Sequence, residues 1–364
     1  MRRIIHKIHL WAGLILAAPL ILQGLTGSIQ VIEPELRHIF APLPASASGT
    51  PHSAAAILDR ARAEAPDGFA PSMLRAAAAP GEPATVFLAR PEVKTASPGP
   101  RIQMLIDPVS LAVIDKDASR GLMRKIVLLH SSLLLRDYGG RSVVGWFGVG
   151  LLGFGLSGLI LWWPRPGSWR AAFSFRRKSR GRCLYRELHG AAGIWSVLLL
   201  LTAGTTGVYL AFPRTMDAVT SGLFAMRDWR KPPPVKSAPA PGQATMNIDD
   251  AIRLAIQSVP DGRFSFAALS AQPRQPYRIG LLHAGDAEGS PPVNVFIDPW
   301  TESIMEIRDP RRYAPGETIL AWMHAVHAGQ ALGGLWRVLV FLTGLMPMLF
   351  AVTGLAMWLK RPRK

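Results

Sequence analysis

Four stretches of this chain carry no charged residue and are long enough to cross a bilayer: residues 10–32, 142–164, 188–213 and 338–359. About 20 apolar residues span the hydrocarbon core, so the chain reads as a mainly α membrane protein with four transmembrane helices. Four buried core helices of a water-soluble protein are the competing reading. Four such runs, in 364 residues of which 49% are hydrophobic, argue against it.

Basic residues cluster between the runs. Arg2, Arg3 and Lys7 precede the first. Arg165, Arg170, Arg176, Arg177, Lys178, Arg180, Arg182 and Arg186 lie between the second and third, with one acid, Glu187. Lys360, Arg361, Arg363 and Lys364 follow the fourth. These segments hold most of the net charge of +17. The positive-inside rule puts them in the cytoplasm with both termini, and puts residues 34–125 and 214–318 on the far side. The high pI is then a topology signal and a set of lipid contacts, with no nucleic-acid partner implied.

The lone cysteine, Cys183, excludes a disulfide framework and covalent Cys-x-x-Cys-His haem attachment. Ala45-Ser46-Ala47 resembles a signal-peptidase site. The run before it is too long for a signal h-region and ends well upstream, so the first segment is expected to be retained.

The chain reads as two copies of one plan. His9 and Gly13 precede Gly24-Leu25-Thr26-Gly27, and His189 and Gly193 precede Gly204-Thr205-Thr206-Gly207, offset by a constant 180. Ser157-Gly158-Leu159 with Trp162 matches Thr353-Gly354-Leu355 with Trp358, offset 196. Between these lie two small α+β modules. In the first, a Pro/Ser/Ala-rich linker (42–52) leads to a helix over 53–65, stopped by Pro66-Asp67-Gly68. Strands follow at 85–89, 101–106 and 112–115, with Ile106-Asp107-Pro108 opening a turn. In the second, a linker (232–242) precedes a helix over 248–259, Pro260-Asp261-Gly262, strands at 277–282 and 293–297, and Ile297-Asp298-Pro299. The expected division is 1–33, 34–125, 126–164, 165–187, 188–213, 214–318 and 319–364, a duplicated frame of a kind common in membrane proteins.

Of nine histidines, the repeat singles out His9 and His189 at the cytoplasmic ends of the first and third runs. His130 precedes the second run, and its counterpart before the fourth is His324 or His327. Matching Gly139-Gly140 to Gly333-Gly334 favours His324; matching Arg141 to Arg337 favours His327. Imidazoles at the mouths of uncharged helices, with glycine one turn on, leave room for a flat macrocycle against the backbone. The pairs His9/His189 and His130/His327, with His324 as the alternative ligand, then make two bis-histidine haem sites, one near each membrane face. His6-x-x-His9 and His324-x-x-His327 could instead be metal pairs, but no acid or cysteine completes a zinc shell. Gly148-Val149-Gly150-Leu151-Leu152-Gly153 matches a dinucleotide pattern inside an apolar run with no preceding strand, so it reads as a packing face. No Ser-His-Asp or Gly-x-Ser-x-Gly arrangement stands out.

These features resemble the PepSY-associated transmembrane helix family, in the group that includes periplasmic ferrisiderophore reductases. The resemblance rests on the His9 and His189 helix starts, the two modules ending in Asp-Pro, Ser157-Gly158 with Trp162-Trp163-Pro164-Arg165, and His327-Ala328-Gly329 with Thr353-Gly354 and Trp358-Leu359-Lys360-Arg361. It covers nearly the whole chain. It implies two PepSY-like periplasmic modules, the bacterial inner membrane, two non-covalent b-type haems held by histidine pairs, and electron transfer to a ferric siderophore or other ferric complex. The donor would be quinol or a cytoplasmic reductase, and the catalytic residues stay unassigned. A non-enzymatic transport accessory or regulator, whose modules bind a partner while the helices only anchor, is the alternative. An anchor has no need of histidines at repeated positions.

Overall fold

The computed structural model describes residues 1–40, 49–90, 101–118, 121–173, 179–227, 231–235, 237, 243–269, 275–287 and 289–361. Ala45-Ser46-Ala47, Arg176, Arg177, Lys178, Arg363, Lys364 and most of the two linkers lie outside the described residues. The described helices are α1 (Arg2–Val31), α2 (Glu33–Phe40), α3 (Ala54–Ala63), α4 (Leu122–Ser132), α5 (Gly140–Trp162), α6 (Trp169–Ala172), α7 (Gly181–Ala211), α8 (Pro213–Leu223), α9 (Ile248–Ser258), α10 (Pro315–His327) and α11 (Gly333–Leu359). The chain forms two compact units. One comprises Met1–Glu35, Lys125–Val219 and Met323–Lys364, and the other Leu36–Arg124 and Thr220–Trp322.

In the first unit, α1, α5, α7 and α11 are the four apolar runs. All four are long and apolar enough to cross a membrane, and the chain is a multi-pass membrane protein. Each is packed against two others in a ring: α1 on α11 and α5, α7 on α5 and α11. Glycine sets the closest approach. A Cβ at Gly24 would stand 2.1 Å from the carbonyl oxygen of Gly344, and Ser28 Oγ donates to the Phe341 carbonyl across the same crossing at 2.8 Å. Gly148 and Gly155 lie against Val208 and Leu201 of α7, which gives the glycine pattern of α5 a packing role. Arginines close the helix ends by capping free carbonyls. Arg2 donates to Trp163 at the end of α5 (2.8 Å), and Arg337 to Val31 at the end of α1 (3.0 Å through Nε). Arg141 does the same for Leu210 of α7 (3.1 Å).

The second unit holds one antiparallel sheet of eight strands: β1 (Ala70–Arg75), β2 (Ala84–Ala89), β3 (Arg101–Ile106), β4 (Val113–Asp115), β5 (Gly262–Ala268), β6 (Tyr277–His283), β7 (Val293–Asp298) and β8 (Ser303–Arg308). Its order is β4-β3-β2-β1-β5-β6-β7-β8, two meanders joined edge to edge at β1 and β5. That seam is short: Met73 opposite Ala268, Leu74 opposite Ala267, Arg75 opposite Phe266. Alternate residues of the strands, among them Leu74, Val86, Leu88, Ile279, Leu281, Val293 and Val295, are buried against Ile57, Leu58 and Ala61 of α3 and Ile248, Ala251 and Ala255 of α9.

The expected strands and module helices are present, with ends shifted by one or two residues. Three strands were not expected: β1, β5 and β8. β1 (APSMLR) and β5 (GRFSFAA) are rich in Ala, Ser, Pro and Gly, which carry little strand preference. Pro71 is tolerated in β1 because the ladder shifts register between Pro71 and Met73. Both expected turns are built by their aspartates. Asp107 Oδ1 accepts from the Val109 amide at 3.0 Å and Asp298 Oδ1 from the Trp300 amide at 2.9 Å.

Candidate functional site

Helices α1 and α7, and the shorter α4 and α10, bring four histidines together in two pairs. His9 of α1 faces His189 of α7, with ring centres 6.4 Å apart and planes inclined at 71°. His130 of α4 faces His327 of α10, with ring centres 6.1 Å apart and planes inclined at 50°. Two imidazoles sharing one metal ion place their ring centres about 6 Å apart, two metal–nitrogen bonds of about 2 Å plus the ring half-widths. His324 is exposed and does not take part in the second pair; His6 is exposed as well.

Each ring is gripped at Nδ1 by a hydroxyl from a neighbouring helix. The contacts are Ser157 Oγ to His9 (2.7 Å), Thr353 Oγ1 to His189 (2.8 Å), Thr26 Oγ1 to His130 (3.1 Å) and Thr206 Oγ1 to His327 (2.8 Å). The direction of these bonds follows from the hydroxyl proton, which is already committed. Ser157 donates to Gly153 (2.6 Å), Thr353 to Leu349 (2.7 Å), Thr26 to Leu22 (2.7 Å) and Thr206 to Thr202 (2.7 Å), each one turn back along its own helix. The hydroxyl oxygen therefore accepts, Nδ1 carries the proton, and Nε2 keeps its lone pair for a metal. His130 shows this independently: the Gln23 carbonyl, which can only accept, lies 3.1 Å from the same Nδ1.

A glycine follows each gripping hydroxyl, and the imidazole lies against it, tightly at Gly27 and in ordinary contact at the other three. A Cβ would stand 3.7 Å from His9 at Gly158, 3.9 Å from His189 at Gly354, 3.1 Å from His130 at Gly27 and 3.5 Å from His327 at Gly207. Phe154 and Phe350 pack edge-on or tilted against His9 and His189, with ring centres 5.3 and 5.0 Å away. At Gly193, one turn beyond His189, a Cβ would meet nothing within 4 Å. Among the described residues two buried side-chain nitrogens lack a partner, Gln23 Nε2 and Trp358 Nε1. Gln23 is three residues from Thr26 and Trp358 four from Gly354, so each donor lies on the helix face that serves a histidine pair. The donor set fits a haem held by two neutral imidazoles at each pair. On α1 and α7, 17 residues separate the histidine from the threonine that serves the other pair, so the two sites lie about 25 Å apart along the bundle.

The gripping hydroxyls were legible as repeated Ser-Gly and Thr-Gly dipeptides, but nothing in the sequence assigned them a role. Among the described residues no group of three His, Cys, Asp or Glu side chains is placed to hold a metal ion.

Fold and site together define a multi-pass membrane protein with paired histidines at both ends of a four-helix bundle. Residues 6–361 match the PepSY-associated TM region family, and the chain belongs to it. It is also similar to "Uncharacterized protein PA4219" of Pseudomonas aeruginosa, 30% identical over 175 residues that cover 44% of this chain and 39% of that protein. The chain thus spans about two fifths of the length of that relative.

Proposed function

We propose that this protein is a haem-containing reductase of the bacterial inner membrane, with both termini in the cytoplasm and two duplicated halves. It passes electrons from quinol or a cytoplasmic reductase to a periplasmic ferric complex, a ferrisiderophore, held at two PepSY-like modules. One electron is taken up per ferric iron, which leaves as ferrous iron. The observation that carries the reading is the pair of facing imidazoles at each end of the bundle, every one with its proton fixed on Nδ1. Haem bound there would supply a one-electron couple within the low-dielectric span. The chain's own part is to hold each ring by its Ser or Thr, to leave room for His130 with Gly27, and to exclude water with Phe154 and Phe350. A protein that only anchored its modules would need no imidazole pair at either end.

Absorption spectra of the purified protein, oxidised and dithionite-reduced, test this directly. Two acid-acetone-extractable haems per chain are expected, and a pyridine haemochrome yield below one per chain overturns the two-site reading. Orientation is tested by phosphatase fusions: activity at residue 240 and none at 175 is expected, and the reverse overturns it.

A further inference from the structure

The sheet has two faces, and only one is covered by α3 and α9. On the other, phenyl rings alternate with guanidinium groups across the seam between the meanders. The Arg75 guanidinium lies 5.5 Å from the ring centre of Phe87, and that of Arg278 5.1 Å from Phe266. Arg75 is directly opposite Phe266 in the ladder, so the four side chains form one patch over β2, β1, β5 and β6. The Phe266 ring lies flat on the β6 backbone, where a Cβ at Gly280 would stand 2.0 Å from it. That glycine lets the ring lie down and form a floor.

A third stack on the same sheet serves as an internal control. Arg308 lies 4.8 Å from the Phe296 ring centre, but it is buried, donates to both Glu306 oxygens at 2.8 Å and reaches the Lys231 carbonyl at 2.9 Å. That guanidinium is satisfied within the fold. Arg75 and Arg278 are exposed, their neighbouring phenyl rings are half-buried, and no described carboxylate lies within 4.0 Å of either guanidinium. An arginine held flat against a ring, with its charge unmatched, offers both a stacking plane and an anion contact.

We infer that the Arg75–Phe87–Phe266–Arg278 patch binds the ferric substrate, and that the substrate is an anionic chelate with aromatic oxygen donors, of the catecholate type. This rests on the reductase reading above. Aryl rings match the phenyl floor and guanidinium planes, and the negative charge matches the two unpaired arginines. A neutral aliphatic chelate would use neither feature.

The test uses the full-length protein in detergent and gallium(III) complexes, which match ferric charge but are not reduced. Titration should show a hexadentate tris-catecholate binding at least about tenfold tighter than either a neutral tris-hydroxamate or an anionic, ring-free citrate complex. Arg75→Gln and Arg278→Gln should each weaken tris-catecholate binding about tenfold while leaving haem content unchanged. Equal affinity for the hydroxamate, equal affinity for citrate, or an unaffected double variant overturns the assignment. Gallium binding without reduction of the ferric counterpart would sink the reductase reading and leave the patch standing. Reduction that proceeds with gallium binding unaltered in the variants would do the opposite.

Discussion

The two histidine pairs are built from the same parts in opposite ways. His9 and His189 are themselves on membrane-spanning helices, and the hydroxyls that grip them come from α5 and α11. His130 and His327 are on the short helices α4 and α10, and their hydroxyls come from the spanning helices α1 and α7. Thus α1 and α7 each supply a ligand at one end and a grip at the other. The first pair is fixed by the long helix–helix contacts. The second depends on two short helices whose other ends run into the strand-bearing unit. Among the described residues one ring, His130, has a carbonyl, that of Gln23, as well as a hydroxyl at Nδ1, whereas His9, His189 and His327 have a hydroxyl there.

If the pairs are independent, removing a ligand should cost one haem and spare the other. His189→Ala and His327→Ala should each lower the pyridine haemochrome yield from two per chain to about one, and redox titration should show different haems lost. His324→Ala should keep both. If His9→Ala and His189→Ala perturb different haems, the pairing itself is wrong.

The grips give the next largest effect. Outer-shell partners of metal-bound imidazoles are worth about 10–100-fold in affinity. Ser157→Ala and Thr353→Val should weaken haem retention at the first pair by that order. Thr206→Val should do the same at the second pair, and Thr26→Val should cost less, because the Gln23 carbonyl still holds the His130 ring. Equal losses at all four positions, measured by haem transfer to apomyoglobin, would erase the distinction between singly and doubly held rings.

The dependence of the second pair on α10 can be tested at that helix's first turn. Glu317 is fully buried there and accepts from the Arg227 backbone amide (2.9 Å), its Nε (2.7 Å) and Nη2 (2.9 Å), and the Ala314 amide (3.0 Å). The Arg227 hydrogen bond is the main reason its carboxyl is held down at about 2, against the opposing effect of burial. A depressed carboxylate stabilises the fold above its ordinary value of 4.5, and that contribution is lost as pH falls towards 2. Glu317→Ala should cost about 2 kcal/mol by taking the acceptor from the Arg227 and Ala314 amides and the Arg227 guanidinium, and should loosen haem at the second pair before the first.

His283 adds a pH dependence of the opposite sign. It is buried, with Nδ1 2.9 Å from Asp261 and Nε2 3.2 Å from Asp309, which caps the 3-10 turn Pro310–Arg312 leading into α10. Burial disfavours the charged ring, but the bonds to Asp309 and Asp261 outweigh it and raise its pKa above 6.5, with Arg311 opposing weakly. Its stabilisation is complete below 6.5 and is lost as pH rises through the raised value. Amide exchange around 261–263, 283–286 and 309–312 should accelerate in that upper range, and His283→Gln should remove the dependence.

The smallest effect separates the two short helices themselves. α10 ends on Gly329, whose φ of +76° costs little, whereas α4 ends on Leu133 and Leu134 with φ of +54° and +60°. A left-handed leucine costs about 1–2 kcal/mol. Leu134→Gly should recover about 1 kcal/mol in thermal melts of the whole protein without changing haem content.

Much of this arrangement was readable beforehand. The four spans followed from uncharged runs, since a bilayer imposes length and apolarity on every segment that crosses it. The pairing of His9 with His189 followed from repeat offsets, and so did a partner for His130 in the segment before the fourth run. The choice between His324 and His327 did not, because two competing matches differ by a residue or two and only helix phase decides which ring turns inward. The hydroxyl grips stayed hidden for a similar reason: a serine or threonine inside an apolar helix looks the same whether it bonds only its own backbone or also an imidazole. Strands β1, β5 and β8 escaped because their stability comes from neighbouring strands rather than from their own residues.

The committed hydroxyl proton has a consequence for assembly. Each ring is turned, and its tautomer chosen, by bonds that belong to the polypeptide alone. For the haem protein proposed above, the folded bundle would then be in shape before the cofactor arrives, with little rotamer freedom left to lose on loading. On that proposal, membrane insertion could come first and haem acquisition second.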